Sequence, residues 1–191
     1  MQPPLWTLPN VISSFRIAAG PVCIYLLADG SPLGLWLALL TMIAAEISDF
    51  LDGHLARTWG QISNFGKILD PMADSLYRIA IFVAFAANRW MPVWMLALFL
   101  CRDIAVSYLR IIAEEHGHTL AARMSGKLKA VFQATAQLMM VGLLALATVW
   151  ELPASEGLRA ALLTAAAAVT AYSLIDYAAD VLARMARKRA A

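Results

Sequence analysis

Residues 49–74 read DFLDGHLARTWGQISNFGKILDPMAD, and four aspartates, Asp49, Asp52, Asp70 and Asp74, stand in this stretch between long apolar runs. Asp49 and Asp52 are three residues apart and Asp70 and Asp74 four apart, so on helices each pair projects from one face. Two such pairs on facing helices make a cage of hard oxygen ligands, which suits Mg²⁺, Mn²⁺ or Ca²⁺ better than zinc. The small residues Gly53, Ala56 and Gly66 let a backbone or a ligand come close, and the planar fork of Arg57 can hold a phosphate. Carboxylates beside hydrocarbon are costly, so an acidic cluster in a membrane protein marks a candidate site. Loop carboxylates standing in water would explain one pair, but not the whole constellation.

Composition sets the environment. The chain has 191 residues and is 61% hydrophobic, with a mean hydropathy of +0.68; an ordinary soluble domain is about 45–50% apolar. One integral membrane domain over residues 1–191 is therefore expected. The net charge of +2 says little until the charges are placed. The opening MQPPLWTLPN lacks the basic region of a secretory signal, and Arg16 interrupts the apolar run that follows. Cys23 and Cys101 lie in apolar stretches without metal or redox spacing and read as packing residues.

Taken in order, the chain reads as all-α, with six transmembrane helices after a short interfacial segment at 1–10 that holds Trp6 and three prolines. The helices are expected at about 11–28, 33–57, 66–88, 92–114, 127–150 and 158–184, and a basic tail covers 185–191. A bilayer core of about 30 Å needs about 20 residues at 1.5 Å each, which these meet. Pro71 falls in the first turns of the third helix, where it is tolerated and can aim Asp70. With both termini inside, Arg57, Lys67, Arg123, Lys127, Lys129 and the C-terminal bases are cytoplasmic, and only Arg89 and Arg159 flank outer loops. That asymmetry satisfies the positive-inside rule. It also places Asp49 to Asp74, Arg110 and Lys127 at one membrane face, the cytoplasmic one; the membrane expected is the inner, cytoplasmic membrane of a bacterium.

The array Asp49 xx Asp52 Gly53 xx Ala56 Arg57, eight residues, Gly66 xxx Asp70 xxx Asp74 matches every position of the motif of the CDP-alcohol phosphotransferases, and the chain resembles that family. The resemblance implies six membrane-spanning helices, two divalent cations (Mg²⁺, with Mn²⁺ as the alternative), and displacement of CMP from CDP-diacylglycerol by an alcohol. It gives Asp49, Asp52 and Asp70 to the metal ions. Asp74 becomes either the base that takes the acceptor proton or a further metal ligand, which spacing alone does not decide. Asp52, Gly53, Ala56, Arg57 and Gly66 match positions that cradle the cytidine and its phosphates. Related enzymes share an LPNxxSxxR opening, here Leu8 to Arg16, which makes Asn10 and Arg16 candidates near the headgroup; a snorkelling Arg16 is the plain alternative. Glu46, three residues before Asp49, reads as an outer partner or as an interfacial carboxylate.

The acceptor is a separate question. Arg102, Arg110, Arg123, Lys127 and Lys129 cluster around the fourth and fifth helices, and they fit either simple positive-inside topology or a pocket for an acceptor that bears phosphate. The run Arg102 Asp103 … Leu109 Arg110, then Gly126 Lys127 Leu128 Lys129 … Gln133 is most similar to the phosphatidylglycerophosphate synthases. That likeness implies glycerol 3-phosphate, held by Arg110, Lys127 and Lys129. Asp103, Ala130 and Ser75 depart from the usual glutamate, threonine and lysine, and they keep inositol phosphate, serine or another alcohol open as acceptors. A divalent cation transporter is the alternative from another class, because acidic residues on membrane helices also line ion paths. His54 reads as a solvated headgroup residue, and the His116 Gly117 His118 pattern is too sparse for a metal site. The resemblance further implies a homodimer among membrane lipids, and no nucleic-acid partner is expected.

Overall fold

The computed structural model describes residues 7–59, 63–115, 124–150 and 155–190, without the side chains of 56, 57, 64, 67, 113–115 and 184–190. The segment 1–6, the side chains of Ala56 and Arg57, Arg123, His116, His118 and the bases of the C-terminal tail thus lie outside the described residues.

Among the described residues there are six helices: α1 (Leu8–Asp29), α2 (Pro32–Thr58), α3 (Asn64–Ala87), α4 (Val93–Glu115), α5 (Met124–Trp150) and α6 (Glu156–Ala190). Helix α1 starts earlier than expected, with Leu8 to Asn10 as its first turn. The reason is local: the Thr7 hydroxyl accepts from the Asn10 amide at 3.4 Å, and Pro9 stands where its missing N–H costs nothing. Gly30 ends α1 at φ 65°, a left-handed conformation that glycine adopts without strain. Ser31 then caps α2 through the Gly34 amide at 3.0 Å, and Ser63 caps α3 through the Gly66 amide at 2.9 Å. Because α3 begins at Asn64, Pro71 is roughly two turns inside it, and the helix continues through it.

The chain is an integral membrane protein. Residues Leu8–Asp29, Pro32–Leu55, Met124–Trp150 and Glu156–Ala183 are long and apolar enough to cross a bilayer. Helices α3 and α4 carry Asp70, Asp74 and Arg78, and Arg102, Asp103 and Arg110, the charges from which the candidate sites are built.

The chain packs as two compact units, residues 1–91 with 137–155, and residues 92–136 with 156–191. In the first, α1 lies along both α2 and α3. Its core takes Ala19, Cys23 and Leu27 from α1, Met42 from α2, and Ala73 and Tyr77 from α3, at the three- and four-residue spacings of buried helix faces. Gly20 brings α1 close to α3: a β-carbon there would sit 3.0 Å from Ala80 Cβ and 3.6 Å from Tyr77 Cα. In the second unit α4 packs on α6, and buried Gln133 donates to Thr170 at 3.0 Å. Cys23 packs as expected, but Cys101 is exposed, since the neighbouring inward positions go to Arg102 and Asp103.

Gly20→Val should lower stability by about 1–3 kcal/mol through overpacking. Gly142→Val, at a position with nothing within 4 Å, should leave the thermal midpoint in detergent unchanged.

Candidate active site

One face of α1 presents Asn10, Ser13 and Arg16 at three-residue intervals, and all three are buried. The Ser13 hydroxyl lies 2.7 Å from Asp52 Oδ2, 2.6 Å from Asp70 Oδ1 and 3.0 Å from the Pro9 carbonyl. A hydroxyl has one proton to donate, so two carboxylate oxygens of like charge share one donor. Arg16, only 1% exposed, supplies part of the missing positive charge. Its Nη2 donates to Asp52 Oδ2 at 2.9 Å, and its Nη1 pairs with Asp49. Arg16 does not snorkel. It is anchored inward, and Asp52, at 3% exposure, is the deepest of the four aspartates.

Asn10 closes the same corner from the other side. Its Nδ2 donates to Ser63 Oγ at 3.2 Å, and a β-carbon on Gly66 would fall 2.6 Å from Asn10 Oδ1. The small residue at 66 therefore admits the Asn10 side chain, which ties the start of α3 to α1. Gly53 is half-buried and His54 exposed, with its ring stacked on Phe50 at 6.3 Å.

Asp74 lies apart from this group. Its Oδ1 accepts from Arg78 Nε at 2.8 Å and pairs with Arg78 Nη2 at 2.8 Å, and Arg78 Nη1 reaches Glu46 Oε1 at 3.4 Å. Three of the aspartates thus pair with two arginines, Asp49 and Asp52 with Arg16 and Asp74 with Arg78, while Asp70 is held by Ser13. Among the described residues no three acidic, histidine or cysteine side chains are drawn together as a ready cage. The donor set still fits divalent cations: Asp49, Asp52 and Asp70 are hard oxygen ligands, and Asp52 and Asp70 crowd one hydroxyl with more negative charge than it can satisfy.

The second unit carries its own charged cluster. Lys129 Nζ donates to both oxygens of Asp103 at 2.8 and 3.0 Å. Arg102 donates to Asp103 at 3.0 Å and to Ser173 Oγ at 2.7 Å. Arg110 donates to the Tyr177 hydroxyl at 3.0 Å. The Tyr177 ring lies 5.6 Å from the Arg102 guanidinium carbon and 5.5 Å from that of Arg110, within cation–π range. Arg102, Arg110 and Lys129 are thus brought together on one tyrosine and one aspartate. Lys127 is exposed.

Over residues 6–173 the chain matches the family model described as CDP-alcohol phosphatidyltransferase. It belongs to that family. Among curated CDP-alcohol phosphatidyltransferase relatives it is 36% identical to the cardiolipin synthase (CMP-forming) of Streptomyces coelicolor, over 59% of this chain and 54% of the relative. It is 39% identical to the CDP-diacylglycerol–glycerol-3-phosphate 3-phosphatidyltransferase of Mycoplasma genitalium, over 60% of this chain and 46% of that protein. To the protein of that name from Cereibacter sphaeroides it is 34% identical, over 75% of this chain and 65% of the relative. The matched region spans about half to two thirds of these relatives.

Several site residues are not singled out by motif spacing. Ser13 sits inside the LPNxxSxxR opening, so its signal is present. Arg78 stands alone in an apolar run four residues after Asp74, the spacing of a helical ion pair. Ser173 and Tyr177 have no sequence signal beyond being polar on an alanine-rich helix.

Lys129 is 4% exposed, so Lys129→Met should destabilise by about 3–5 kcal/mol by stripping a partner from buried Asp103. Lys127→Met should stay within about 0.5 kcal/mol of wild type. Unfolding of both variants in detergent, followed by circular dichroism, checks the pair.

Proposed function

We propose that the chain transfers a phosphatidyl group from CDP-diacylglycerol to glycerol 3-phosphate and releases CMP. The observation that carries the reading is the convergence of Asp52 and Asp70 on the single Ser13 hydroxyl, with Arg16 bridging Asp49 and Asp52. An excess of buried negative charge at this point suits a polyanionic substrate only if cations come with it. Asp49, Asp52 and Asp70 are the residues that would hold two such ions, Mg²⁺ by preference. The ions, when bound, neutralise charge developing on the leaving CMP. Both the family and the relatives named CDP-diacylglycerol–glycerol-3-phosphate 3-phosphatidyltransferase support this assignment.

In this reading the acceptor oxygen attacks the phosphorus on the diacylglycerol side of the pyrophosphate. The bond from that phosphorus to the bridging oxygen breaks, and the electron pair leaves with CMP. Asp74 takes the hydroxyl proton, Arg57 and the small residues Gly53, Ala56 and Gly66 bind the nucleotide, and Asn10 fixes the start of α3. Arg102, Arg110, Lys127 and Lys129, with Arg123, supply positive charge for the acceptor phosphate. All six helices span the membrane, and both termini and the site face the cytoplasm of a bacterial inner membrane. The enzyme works as a homodimer.

A second acceptor is favoured by a specific feature. Asp103 accepts from both Arg102 and Lys129, which lowers the charge available to a phosphomonoester. The Streptomyces coelicolor relative is a cardiolipin synthase, and a lipid alcohol bearing a phosphodiester needs less positive charge than glycerol 3-phosphate.

CMP release should require Mg²⁺ or Mn²⁺ and should be stimulated most by glycerol 3-phosphate in a screen that includes phosphatidylglycerol, inositol phosphate and serine. Stimulation by phosphatidylglycerol alone would move the assignment to the second acceptor, and cation uptake into proteoliposomes without CMP release would overturn the enzyme reading. Asp74→Asn should lower turnover about 100-fold or more, as expected for loss of a general base. Mg²⁺ at about 100 times its dissociation constant should stabilise the wild type by about 2.7 kcal/mol over chelator. A double Asp52→Asn, Asp70→Asn variant should lose that shift.

A further inference from the structure

Ser173 has no part in the proposed reaction, yet it anchors on α6 one of the cations offered to the acceptor. It is fully buried, at 0% exposure, and its Oγ accepts from Arg102 Nη2 at 2.7 Å. Arg102 is 7% exposed. Its Nη1 donates to Asp103 at 3.0 Å, and its guanidinium carbon lies 5.6 Å from the centre of the Tyr177 ring. Asp103 in turn takes Lys129 on both oxygens, so its charge is shared and Arg102 keeps part of its own. Gly126 leaves the group its room: a β-carbon there would sit 3.1 Å from the Tyr177 hydroxyl and 3.5 Å from Arg102 Nη2.

Two donors in this group are left over. Arg102 Nε and Arg110 Nε are buried and have no hydrogen-bond partner among the described residues. A buried N–H without an acceptor costs stability, so packing alone gives no reason to hold two such groups against one ring. An anion with several acceptor oxygens would satisfy them. We propose that Ser173 is a positioning residue for acceptor choice: together with Asp103 it locks the Arg102 guanidinium, so that the Nε–H is kept free for a phosphate oxygen of the acceptor. A planar fork recognises phosphate only in a defined orientation, and a long side chain that must be ordered on binding loses affinity. Fixing Arg102 from α6 and from its own helix removes that loss beforehand. Ser173 acts through Arg102 and need not touch the ligand itself. The inference rests on the proposed phosphorylated acceptor and adds a determinant of its binding on α6, away from the basic residues.

The test compares Ser173→Ala and Ser173→Cys in the full chain, each with Arg102 and with Arg102→Met. Alanine removes the acceptor oxygen and leaves a small gap, whereas cysteine fills the position with a thiol that accepts hydrogen bonds weakly. CMP release is measured on monodisperse protein with CDP-diacylglycerol and glycerol 3-phosphate varied in turn. Both variants should raise KM for glycerol 3-phosphate about tenfold, the low end of what a hydrogen bond to a charged group supplies. Their kcat and their KM for CDP-diacylglycerol should stay within about twofold of wild type, the pattern of lost ground-state binding of one substrate. Arg102→Met should raise KM for glycerol 3-phosphate further. In that background neither change at Ser173 should move it by more than about twofold.

A cysteine variant that matches wild type while alanine alone is impaired would make Ser173 a packing residue and overturn the proposal. A fall in kcat with KM for glycerol 3-phosphate unchanged, or an equal effect of Ser173→Ala with and without Arg102, would do the same. If Arg102→Met does not fold, the alanine and cysteine variants decide the matter through the split between KM and kcat. Wild-type CMP release that glycerol 3-phosphate does not stimulate would refute the proposed acceptor and the role of Ser173 with it. Stimulated wild type beside variants with unchanged KM would refute Ser173 alone.

Discussion

Like charges gathered on apolar helices repel one another and resist leaving water, and the first unit of this protein is arranged around holding four of them. Two buried arginines and one serine hydroxyl do the holding. Arg16 reaches Asp49 and Asp52, Ser13 joins Asp52 to Asp70, and Arg78 takes Asp74 together with Glu46. Helix α1 is central for this reason. It provides Asn10, Ser13 and Arg16 to the site, and it packs against both helices that bear the aspartates. The close approach at Gly20 and the capping of α3 by Ser63, itself bonded to Asn10, set where those side chains arrive.

An ion pair of this kind is conditional. Arg16 neutralises Asp49 and Asp52, and Ser13 shares Asp52 with it. A divalent ion brings twice the charge in a smaller volume and favours carboxylate oxygen at short range. A guanidinium also binds phosphate well through its planar fork, so in the proposed reaction Arg16 is a second group, beside the carboxylates, that suits a pyrophosphate.

How much of this is legible in the sequence depends on the range of the interaction. Three- and four-residue spacings are properties of a single helix, so the aspartates, and the placement of α2 and α3 around them, can be read directly. Asn10 and Arg16 are legible through the LPNxxSxxR pattern, but whether Arg16 points toward lipid headgroups or inward is decided by α2, which local sequence does not encode. The start of α1 falls three residues before the expected one because Thr7 capping and Pro9 in the first turn carry the helix back to Leu8, a signal masked by the run of prolines. Cys101 is misread because its apolar neighbours conceal that Arg102 and Asp103 take the inward positions. Tyr177 and Ser173 are invisible because their partners lie on α4 and come close only in the folded chain.

The cluster in the second unit shows why a tally of cations misjudges a site. Five basic residues around α4 and α5 read as an anion pocket, yet Asp103 accepts from two of them, and Tyr177 binds Arg110 through its hydroxyl while its ring faces two guanidinium groups. What the cluster offers a ligand is the charge left after these internal pairings, together with the direction in which the arginines are held. A tyrosine ring against both Arg102 and Arg110 fixes their spacing as well as tempering their charge. An aspartate at 103 carries the same charge as a glutamate on a shorter stem, so it acts on spacing alone: Arg102 and Lys129 must come close to the α4 backbone to reach it, at 2.8–3.0 Å.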